Sequence, residues 1–288
     1  MRGQDGRFTR TGFLGLEEHR ANGQRMSSSR LSMHTTGSGP DLLLFHGGMG
    51  SWRHWVRNID ALAAHFRVHA LDLPGYGDSM AVPKGIRTED YLDLVEALVR
   101  EEFGDSSPLH IVGFSFGAVV SSSIVPRFED RIRSLSLIGP SGFGIPQGKP
   151  KLPTASYKLA EGDPERLAEI IRQNLLAVML LHPESIDDEV VALQADNVRL
   201  HKGMNSRHVS VIDVTPQNLA AAACPVQLIF GDSDQVARGE LDDRVARCRE
   251  ARPDIEVEII PDCGHWAMFE GANSVNQALL AFHRRHIA

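Results

Sequence analysis

The sequence predicts an α/β fold, in which a mostly parallel sheet carries helices on both faces. Short apolar runs recur along the chain, each ending at Gly, His or Asp, and such runs are typical of parallel strands buried on both faces. Segments with helical periodicity lie between these runs, so strands and helices alternate as in a doubly wound sheet. The 288 residues, of which 42% are hydrophobic, suffice for one large core.

The predicted strands, in chain order, are LLLFH (42–46), VHALD (68–72), LHIVG (109–113), LSLIG (135–139), VQLIFG (226–231) and IEVEII (255–260). The predicted helices that cover them are HWVRNIDALAAHF (54–66), TEDYLDLVEALVREEF (88–103), FGAVVSSSIVPRF (116–128) and WAMFEGANSVNQALLAFHRR (266–285). Residues 1 to about 20 are polar and lack a sustained period, which predicts a frayed leader or an irregular first element.

The alternation of strands and helices is interrupted in the middle of the chain. A Pro/Gly-rich segment is followed by two helical stretches without a strand between them. In the first stretch Asp163 is placed to cap the helix and Pro164 occupies its first position, and in the second Ser185 and Asp188 resemble a capping box. We therefore predict an all-helical insertion over residues 141–214, within a core built from residues 1–140 and 215–288.

Charge and cysteine content narrow the possible partners. The formal net charge of −7 disfavours nucleic acid and anionic membranes, because those surfaces attract clustered Lys and Arg. Three cysteines at scattered spacing indicate neither a disulfide framework nor a zinc site. The N-terminus lacks an apolar signal region, and no metal, nucleotide or flavin motif is present in the sequence. We expect a cytoplasmic protein that acts on a small-molecule acyl substrate without a cofactor. We expect no membrane or nucleic-acid partner, and the sequence leaves open whether the protein forms homo-oligomers.

A serine stands between two glycines where a predicted strand meets a predicted helix, in GFSFG (113–117). A turn that lifts the Ser115 hydroxyl above the sheet edge strains the serine backbone and leaves no room for side chains at Gly113 and Gly117. The helix behind the serine directs its positive dipole end at the site, where it stabilises an anion. The pattern fits a nucleophile elbow, and a Gly-rich turn without chemistry is the alternative interpretation.

Backbone N–H groups that could receive an oxyanion are expected near this serine. HGG (46–48) directly follows the strand LLLF and is the type of loop that supplies one such donor. Gly48 is the first candidate for this donor and Met49 the second. The other donor is the N–H of Phe116, which follows the serine. We expect the side chain of His46 to hold the loop through hydrogen bonds.

The serine also needs a base and an acid that orients the base. Of the 13 histidines, His265 is the candidate, because it lies in a loop at the C-terminal end of a predicted strand, where α/β sites collect. The loop GDSDQV after another strand offers Asp232 and Asp234. Asp234 clears the strand end and can turn toward His265, whereas Asp232 is expected to cap its own turn. The order Ser115, Asp234, His265 is that of a triad carried on this kind of sheet.

The segments HGGMGSW, DLPGYGDS (72–79), GFSFGA and the pair GDSD and CGHW together resemble the α/β-hydrolase superfamily, from about residue 22 to residue 286. This resemblance implies a mostly parallel, eight-stranded sheet with a helical cap, residues 141–214, inserted after the sixth strand. In the family such a cap lies over the site and sets substrate choice. A nucleophilic serine separates this chain from the haloalkane dehalogenases and epoxide hydrolases, which carry Asp at the elbow.

CGHWAMFEGANSVNQALLAF is similar to the C-terminal signature of the meta-cleavage-product hydrolases, which cut a carbon–carbon bond in ring-fission dienoates. This resemblance implies substrate contacts at Phe114 and His54, where that family tends to carry Asn, and at Trp266, which the family shares. The arginine that binds the substrate carboxylate in that family comes from the cap, where Arg199 or Arg172 could serve.

Taken together, the motifs predict a carboxylesterase-like serine hydrolase that uses Ser115, Asp234 and His265 and passes through an acyl-serine intermediate. Small carboxylic esters, thioesters or lactones are the expected substrates. A carbon–carbon bond hydrolase of meta-cleavage dienoates is the second interpretation. The third is a protein of the same fold that senses a ligand without turning it over.

Overall fold

A single twisted sheet organises the part of the chain that the structure, a computed structural model, describes, namely residues 30–144 and 152–287. The strand order is β1-β3-β2-β4-β5-β6-β7, with β1 antiparallel to β3 and all other neighbours parallel. The predicted mostly parallel sheet is thus confirmed. The strands are β1 (Ser32–Thr36), β2 (Asp41–Phe45), β3 (Arg67–Asp72), β4 (Leu109–Phe114), β5 (Ile132–Ile138), β6 (Val226–Gly231) and β7 (Glu256–Ile260).

The described residues contain seven strands, whereas eight were expected. The helical segment accordingly follows the fifth described strand, and not the sixth. Strand β1 has no counterpart among the predicted runs, because an edge strand that is mostly half-exposed has the polar sequence SMHTT and no apolar pattern. The predicted leader or irregular element at residues 1–20 lies outside the described residues.

The helices follow the predicted segments, with changes at their ends. They are α1 (Ile59–Ala63), α2 (Thr88–Phe103), α3 (Phe116–Ile124), α4 (Pro164–Asn174), α5 (Asp188–Arg199), α6 (Ser206–Ser210), α7 (Thr215–Ala221), α8 (Leu241–Ala251), α9 (Ala267–Glu270) and α10 (Ala272–Arg284). Shorter 3-10 turns cover Trp52–Trp55, Val125–Arg131, Tyr157–Ala160 and Pro183–Ser185, and a π-helical turn covers Leu175–Met179. None of the described helices is long and apolar enough to cross a membrane.

Local chemistry explains where the helix predictions held and where they failed. Asp163 caps α4 as predicted, since its side chain accepts a hydrogen bond from the backbone of Arg166. Helix α5 is capped by Asp187 and not by Ser185, because the Asp187 side chain reaches the backbone N–H of Val190 at 2.9 Å. The predicted C-terminal helix is broken at Gly271, where an added Cβ would lie 2.7 Å from the sulfur of Cys263.

The sheet separates two hydrophobic layers, and strand β2 shows why the four residues after Asp41 are all apolar. Leu42 and Leu44 pack on one face with α1, α9 and α10, whereas Leu43 and Phe45 pack on the other face with α2, α3 and α8. The first layer continues into the helical insertion through residues such as Ile171 of α4. The insertion therefore shares the core of the sheet domain on that side.

The two ends of the helical insertion meet beside strand β5. Phe143 and Asp213 form an isolated antiparallel bridge, and the hydroxyl of Thr215 donates a hydrogen bond to the carbonyl of Ser141 at 2.7 Å. Gly142 is required here, because an added Cβ would lie 2.3 Å from the Thr215 hydroxyl. The chain leaves the sheet domain and returns to it at the same place.

Candidate active site

Ser115 lies in the sharp turn between β4 and α3, with φ of 50° and ψ of −110°. This is strained backbone for a residue other than glycine. The flanking glycines make the turn possible: a Cβ on Gly113 would lie 2.3 Å from the hydroxyl of Ser121, and a Cβ on Gly117 would lie 2.4 Å from the carbonyl of Phe45. The turn presents the serine hydroxyl at the C-terminal edge of the sheet.

His265 and Asp234 reach the serine from loops that follow β7 and β6, so all three side chains meet at one edge of the sheet. The Nε2 atom of His265 is 2.9 Å from the Oγ atom of Ser115. The Nδ1 atom of His265 is 2.8 Å from the Oδ2 atom of Asp234. Asp232 instead lies exposed on the same loop. Since a carboxylate can only accept, the imidazole carries its proton on Nδ1 and turns a free Nε2 lone pair toward the serine hydroxyl.

The protein holds Asp234 in its ionised form although the side chain is buried. Burial alone would raise the pKa of this carboxyl group, but the His265 imidazole and the backbone N–H groups of Ala237 and Val236 outweigh it, so the pKa lies below its ordinary value. The Oδ1 atom accepts from Val236 at 2.8 Å and from Ala237 at 3.1 Å. A fixed negative charge next to the imidazole can stabilise a positive charge that forms on it.

Two buried histidines hold the glycine loop after β2. His46 donates from Nδ1 to the carbonyl of Gly47 at 2.7 Å and accepts from the N–H of Leu73 at Nε2. Burial lowers the pKa of His46 to about 4, against the opposing effect of the bond to Gly47. His54 accepts the N–H of Gly47 at Nδ1. The Gly47 N–H is thus already bonded to His54, so an oxyanion can be bound only by later N–H groups of the loop, beginning with that of Gly48.

The serine opens into a cavity of about 640 Å³ between the sheet edge and the helical insertion. Gly48, Met49 and Phe116, the predicted oxyanion donors, line it together with Phe114, Ser115 and His265. The backbone of Gly48 lies close to Phe116, because a Cβ built on Gly48 would be 3.9 Å from the Phe116 Cβ. The insertion contributes, among others, Leu152, Thr154, Val178, Met179, Ser206 and Val211.

Three predicted substrate contacts lie outside this cavity lining. His54 is buried behind the glycine loop, and burial, aided by His46 and His265, lowers its pKa well below the ordinary value. Trp266 is fully buried and donates from its indole to the carbonyl of His54, so it packs the interior. Arg199 is 64% exposed and pairs with Asp196 on the outer side of α5.

The alternative candidate Arg172 is also held away from the cavity. Its guanidinium donates to the carbonyl of Ile186 at 2.7 Å and pairs with the carboxylate of Asp188. Two different arginines, Arg207 and Arg244, line the cavity instead. Within residues 30–144 and 152–287, no cluster of three or more His, Cys, Asp or Glu side chains could hold a metal ion.

The loop that carries His265 is tied to residues 179–182 of the insertion, which we call the strap. The Gln235 amide accepts the backbone N–H of His265 at 3.1 Å and donates to the carbonyl of Leu180 at 3.0 Å. The backbone N–H of Trp266 donates to the carbonyl of Met179 at 2.7 Å. The strap thus connects the loop that carries Asp234, the Asp234 loop, with the loop that carries His265, the His265 loop, beside the cavity wall that Met179 helps to form.

Glu270 adds a second connection between the strap and the His265 loop. Its carboxylate accepts backbone N–H groups from Leu181 at 2.8 Å, His182 at 2.9 Å and Gly264 at 2.7 Å. Gly264 permits this close approach, because an added Cβ would lie 2.9 Å from the Leu181 nitrogen. Neither Glu270 nor Gln235 could be found from the sequence, since each resembles an ordinary polar residue beside a motif.

Comparison with known proteins places this arrangement in a family. A family model for the alpha/beta hydrolase fold matches residues 40–272. The chain belongs to this family. A thermophilic esterase from Thermogutta terrifontis has a similar solved structure, with a TM-score of 0.70 and 22% sequence identity, covering 90% of this chain and 94% of that one.

Two curated relatives of this alpha/beta hydrolase have named activities. A 2-hydroxy-6-oxononadienedioate/2-hydroxy-6-oxononatrienedioate hydrolase from Paraburkholderia phymatum is 28% identical over 270 residues, which cover 88% of this chain and 90% of the relative. The dihydrolipoyllysine-residue acetyltransferase component of the acetoin cleaving system from Pseudomonas putida is 30% identical over 261 residues. That match covers 86% of this chain but spans only 64% of the relative's length.

Proposed function

We propose that this alpha/beta hydrolase is a serine hydrolase that cleaves carbonyl substrates through an acyl intermediate on Ser115. The observation that supports the proposal most directly is the unbroken hydrogen-bonded row from Asp234 through His265 to the Ser115 hydroxyl, at 2.8 Å and 2.9 Å. The hydroxyl of that row lies on the wall of a cavity of about 640 Å³, which leaves room for a small acyl substrate.

In the proposed mechanism the Nε2 atom of His265 takes the proton of Ser115 while Oγ attacks the substrate carbonyl. Asp234 keeps the imidazole in the required tautomer and stabilises the imidazolium. The N–H groups of Phe116 and Gly48, with Met49 as the alternative to Gly48, receive the oxyanion. Loss of one such donor typically raises the barrier by about 3 kcal/mol. The imidazolium then protonates the leaving group, and water attacks the acyl-serine with His265 again acting as base.

The proposed substrates are small carboxylic esters or related acyl compounds. A carbon–carbon bond hydrolase of ring-fission dienoates is the second candidate, because a relative matched over 90% of its own length and 88% of this chain is named for such a reaction. Phe114, which lines the cavity where the dienoate hydrolases tend to carry Asn, favours the ester reading. The same nucleophile, base and acid would serve both reactions, so the bond cleaved has to be decided by substrate.

Turnover of p-nitrophenyl acetate by the wild-type chain, Ser115→Ala and the control Ser107→Ala tests the proposal. Ser107 is exposed, precedes β4 and does not belong to the cavity lining. We expect release of p-nitrophenol by the wild type and by Ser107→Ala, and none above background by Ser115→Ala. A ring-fission dienoate, followed by loss of its visible absorbance, separates the candidates. If the ester is hydrolysed and the dienoate is not, the carbon–carbon hydrolase is ruled out. If Ser115 supports turnover of neither substrate, both enzyme candidates fail and a ligand-sensing protein is left.

A further inference from the structure

The cavity that contains the Ser115 hydroxyl is also lined by two arginines from different parts of the fold. Arg207 lies in α6 of the helical insertion, and Arg244 lies in α8 of the sheet domain. Neither stands at a position where the sequence led us to expect a cationic contact. An arginine beside a reaction cavity offers planar, paired N–H donors that match a carboxylate.

Arg244 is a buried cation whose hydrogen-bonding capacity is only partly used. Its side chain is 8% exposed. The Nη2 atom donates to the carbonyl of Val236 at 3.1 Å and to the carboxylate of Glu240 at 3.0 Å. Its Nε atom is buried and has no hydrogen-bond partner among the described residues. A largely buried guanidinium is unfavourable unless acceptors compensate it, and because Arg244 lines the cavity, a polar ligand group in the cavity can supply a further acceptor to the guanidinium.

Arg207 brings a second positive charge to the same cavity. Its backbone N–H is capped by Asn205, but its guanidinium makes no hydrogen bond or ion pair with any residue in the described ranges. The neighbouring Arg247, which donates to the carbonyl of Phe143, pairs instead with the carboxylate of Asp213 at 2.6 Å. The exposed side chain of Arg207 is therefore available to a ligand.

The balance of charges at this wall indicates a single negative charge on the ligand. Among the residues of this wall that the structure describes, the carboxylate of Glu240 offsets Arg244 and Asp213 offsets Arg247, which leaves the charge of Arg207. A carboxylate carries one negative charge and can accept N–H donors from two guanidinium groups at once. Apolar residues such as Val178 and Val211 line the space around these groups, which suits a short hydrocarbon chain.

We propose that Arg207 and Arg244 form a subsite for a carboxylate on the acyl part of the substrate, separated by an apolar linker from the carbonyl that Ser115 attacks. This inference rests on the proposed function and narrows its substrates to monoesters of dicarboxylic acids and related anionic acyl compounds. The subsite is built from the sheet domain and the insertion together, because each contributes one arginine.

The test compares p-nitrophenyl hemiesters of succinate, glutarate and adipate with neutral p-nitrophenyl esters of the same chain length. We expect kcat/KM to favour the anionic ester of the best length by about tenfold or more, as charge-assisted hydrogen bonds of this kind provide. Arg207→Gln should lower this ratio about tenfold, and Arg244→Lys, which keeps the charge but loses the planar fork, should lower it less. Arg249→Gln, an exposed arginine on the same helix as Arg244, should keep the wild-type ratio.

Binding of glutarate to Ser115→Ala, measured by calorimetry, provides a readout that does not depend on turnover. We expect glutarate to bind, with weaker binding when Arg207→Gln is added. Equal kcat/KM for anionic and neutral esters, or glutarate binding that Arg207→Gln leaves unchanged, would overturn the subsite while leaving the serine hydrolase proposal intact. If no ester is hydrolysed, the proposed function fails, and the glutarate experiment still decides whether the arginines bind a carboxylate.

Discussion

Replacing Glu270 by alanine should weaken both the fold and the reactivity of Ser115. The carboxylate accepts N–H groups from Leu181, His182 and Gly264, so its removal leaves three backbone donors without their acceptor. Hydrogen bonds to a charged group contribute about 1.5–3 kcal/mol each, but three that share one carboxylate are not additive, and Glu270 is only half-buried. We therefore expect the free energy of unfolding to fall by about 3 kcal/mol.

The effect on reactivity follows from the position of Gly264, directly before His265. If the His265 loop loses this hydrogen bond to Glu270, the imidazole is held less firmly against Ser115. A misplacement of a reacting group by about 1 Å can lower the rate of its reaction about 100-fold. Urea unfolding measures the first effect, and the rate of Ser115 labelling by a fluorophosphonate measures the second without involving any substrate subsite.

Two further variants show whether the contacts of Glu270 are responsible. Glu270→Gln keeps one acceptor oxygen but turns an NH2 group toward a backbone N–H, so it should lie between the wild type and Glu270→Ala in both measurements. Glu258→Ala, an exposed glutamate on β7, should match the wild type. The reasoning is refuted if Glu270→Ala unfolds at the wild-type urea concentration and is labelled at the wild-type rate.

Other consequences can be checked with the same assays. Asp234→Asn should lower ester turnover by about 10³–10⁴-fold, because its amide would turn an N–H toward the imidazole and reverse the tautomer; turnover near the wild-type level would contradict this role. Gly117→Ala should not yield folded protein, since the new Cβ would lie 2.4 Å from a backbone carbonyl, and a cooperative wild-type-like urea transition would contradict the steric account. Burial holds the pKa of both His46 and His110 at about 4 in the folded chain, against 6.5 when exposed. The unfolded chain therefore binds more protons between these values, and the free energy of unfolding should fall as the pH is lowered from about 6.5 toward 4, by up to about 1.4 kcal/mol per pH unit for each histidine. Asp72 opposes this in part, because burial raises its pKa to about 6 and the folded chain takes up that proton; urea titrations at pH 7 and pH 5 that give equal free energies would contradict the prediction.

The alternation of apolar runs and helical segments was enough to predict the parallel sheet, because strands buried on both faces are mostly apolar and polar residues interrupt the runs at few positions. The edge strand β1 could not be predicted in this way. Among the described strands it pairs with β3 alone, and its residues are mostly half-exposed. The chain position of helices was predicted better than their ends, which depended on local contacts such as the Asp187 cap of α5 and the close packing of Gly271 against Cys263.

The residues brought together at the serine were predictable because each follows a strand, and parallel strands deliver their C-terminal ends to one edge. Arg244 gave no such signal. It lies in LDDRVARCREA, where the charged residues resemble a solvated helix face, but in the fold it packs over the Phe143 ring and bonds to Val236 and Glu240, beside the cavity. Arg199 failed as a candidate for the opposite reason, since its neighbour Asp196 holds it at the surface.

The strap has a consequence for how a substrate reaches the serine. Residues 179–182 are bonded to the sheet domain, and so is α5, through Asn197 to the hydroxyl of Ser51 and through Gln194 to the carbonyl of Met49. Polar contacts that residues 152–174 make with the described chain, in contrast, stay inside the insertion, as between Asn174 and Ala155. Movement that admits a substrate should therefore be easier at the start of this stretch, where Leu152 and Thr154 line the cavity, than in α4, whose Ile171 is buried in the core shared with the sheet domain, and His265 should keep its place.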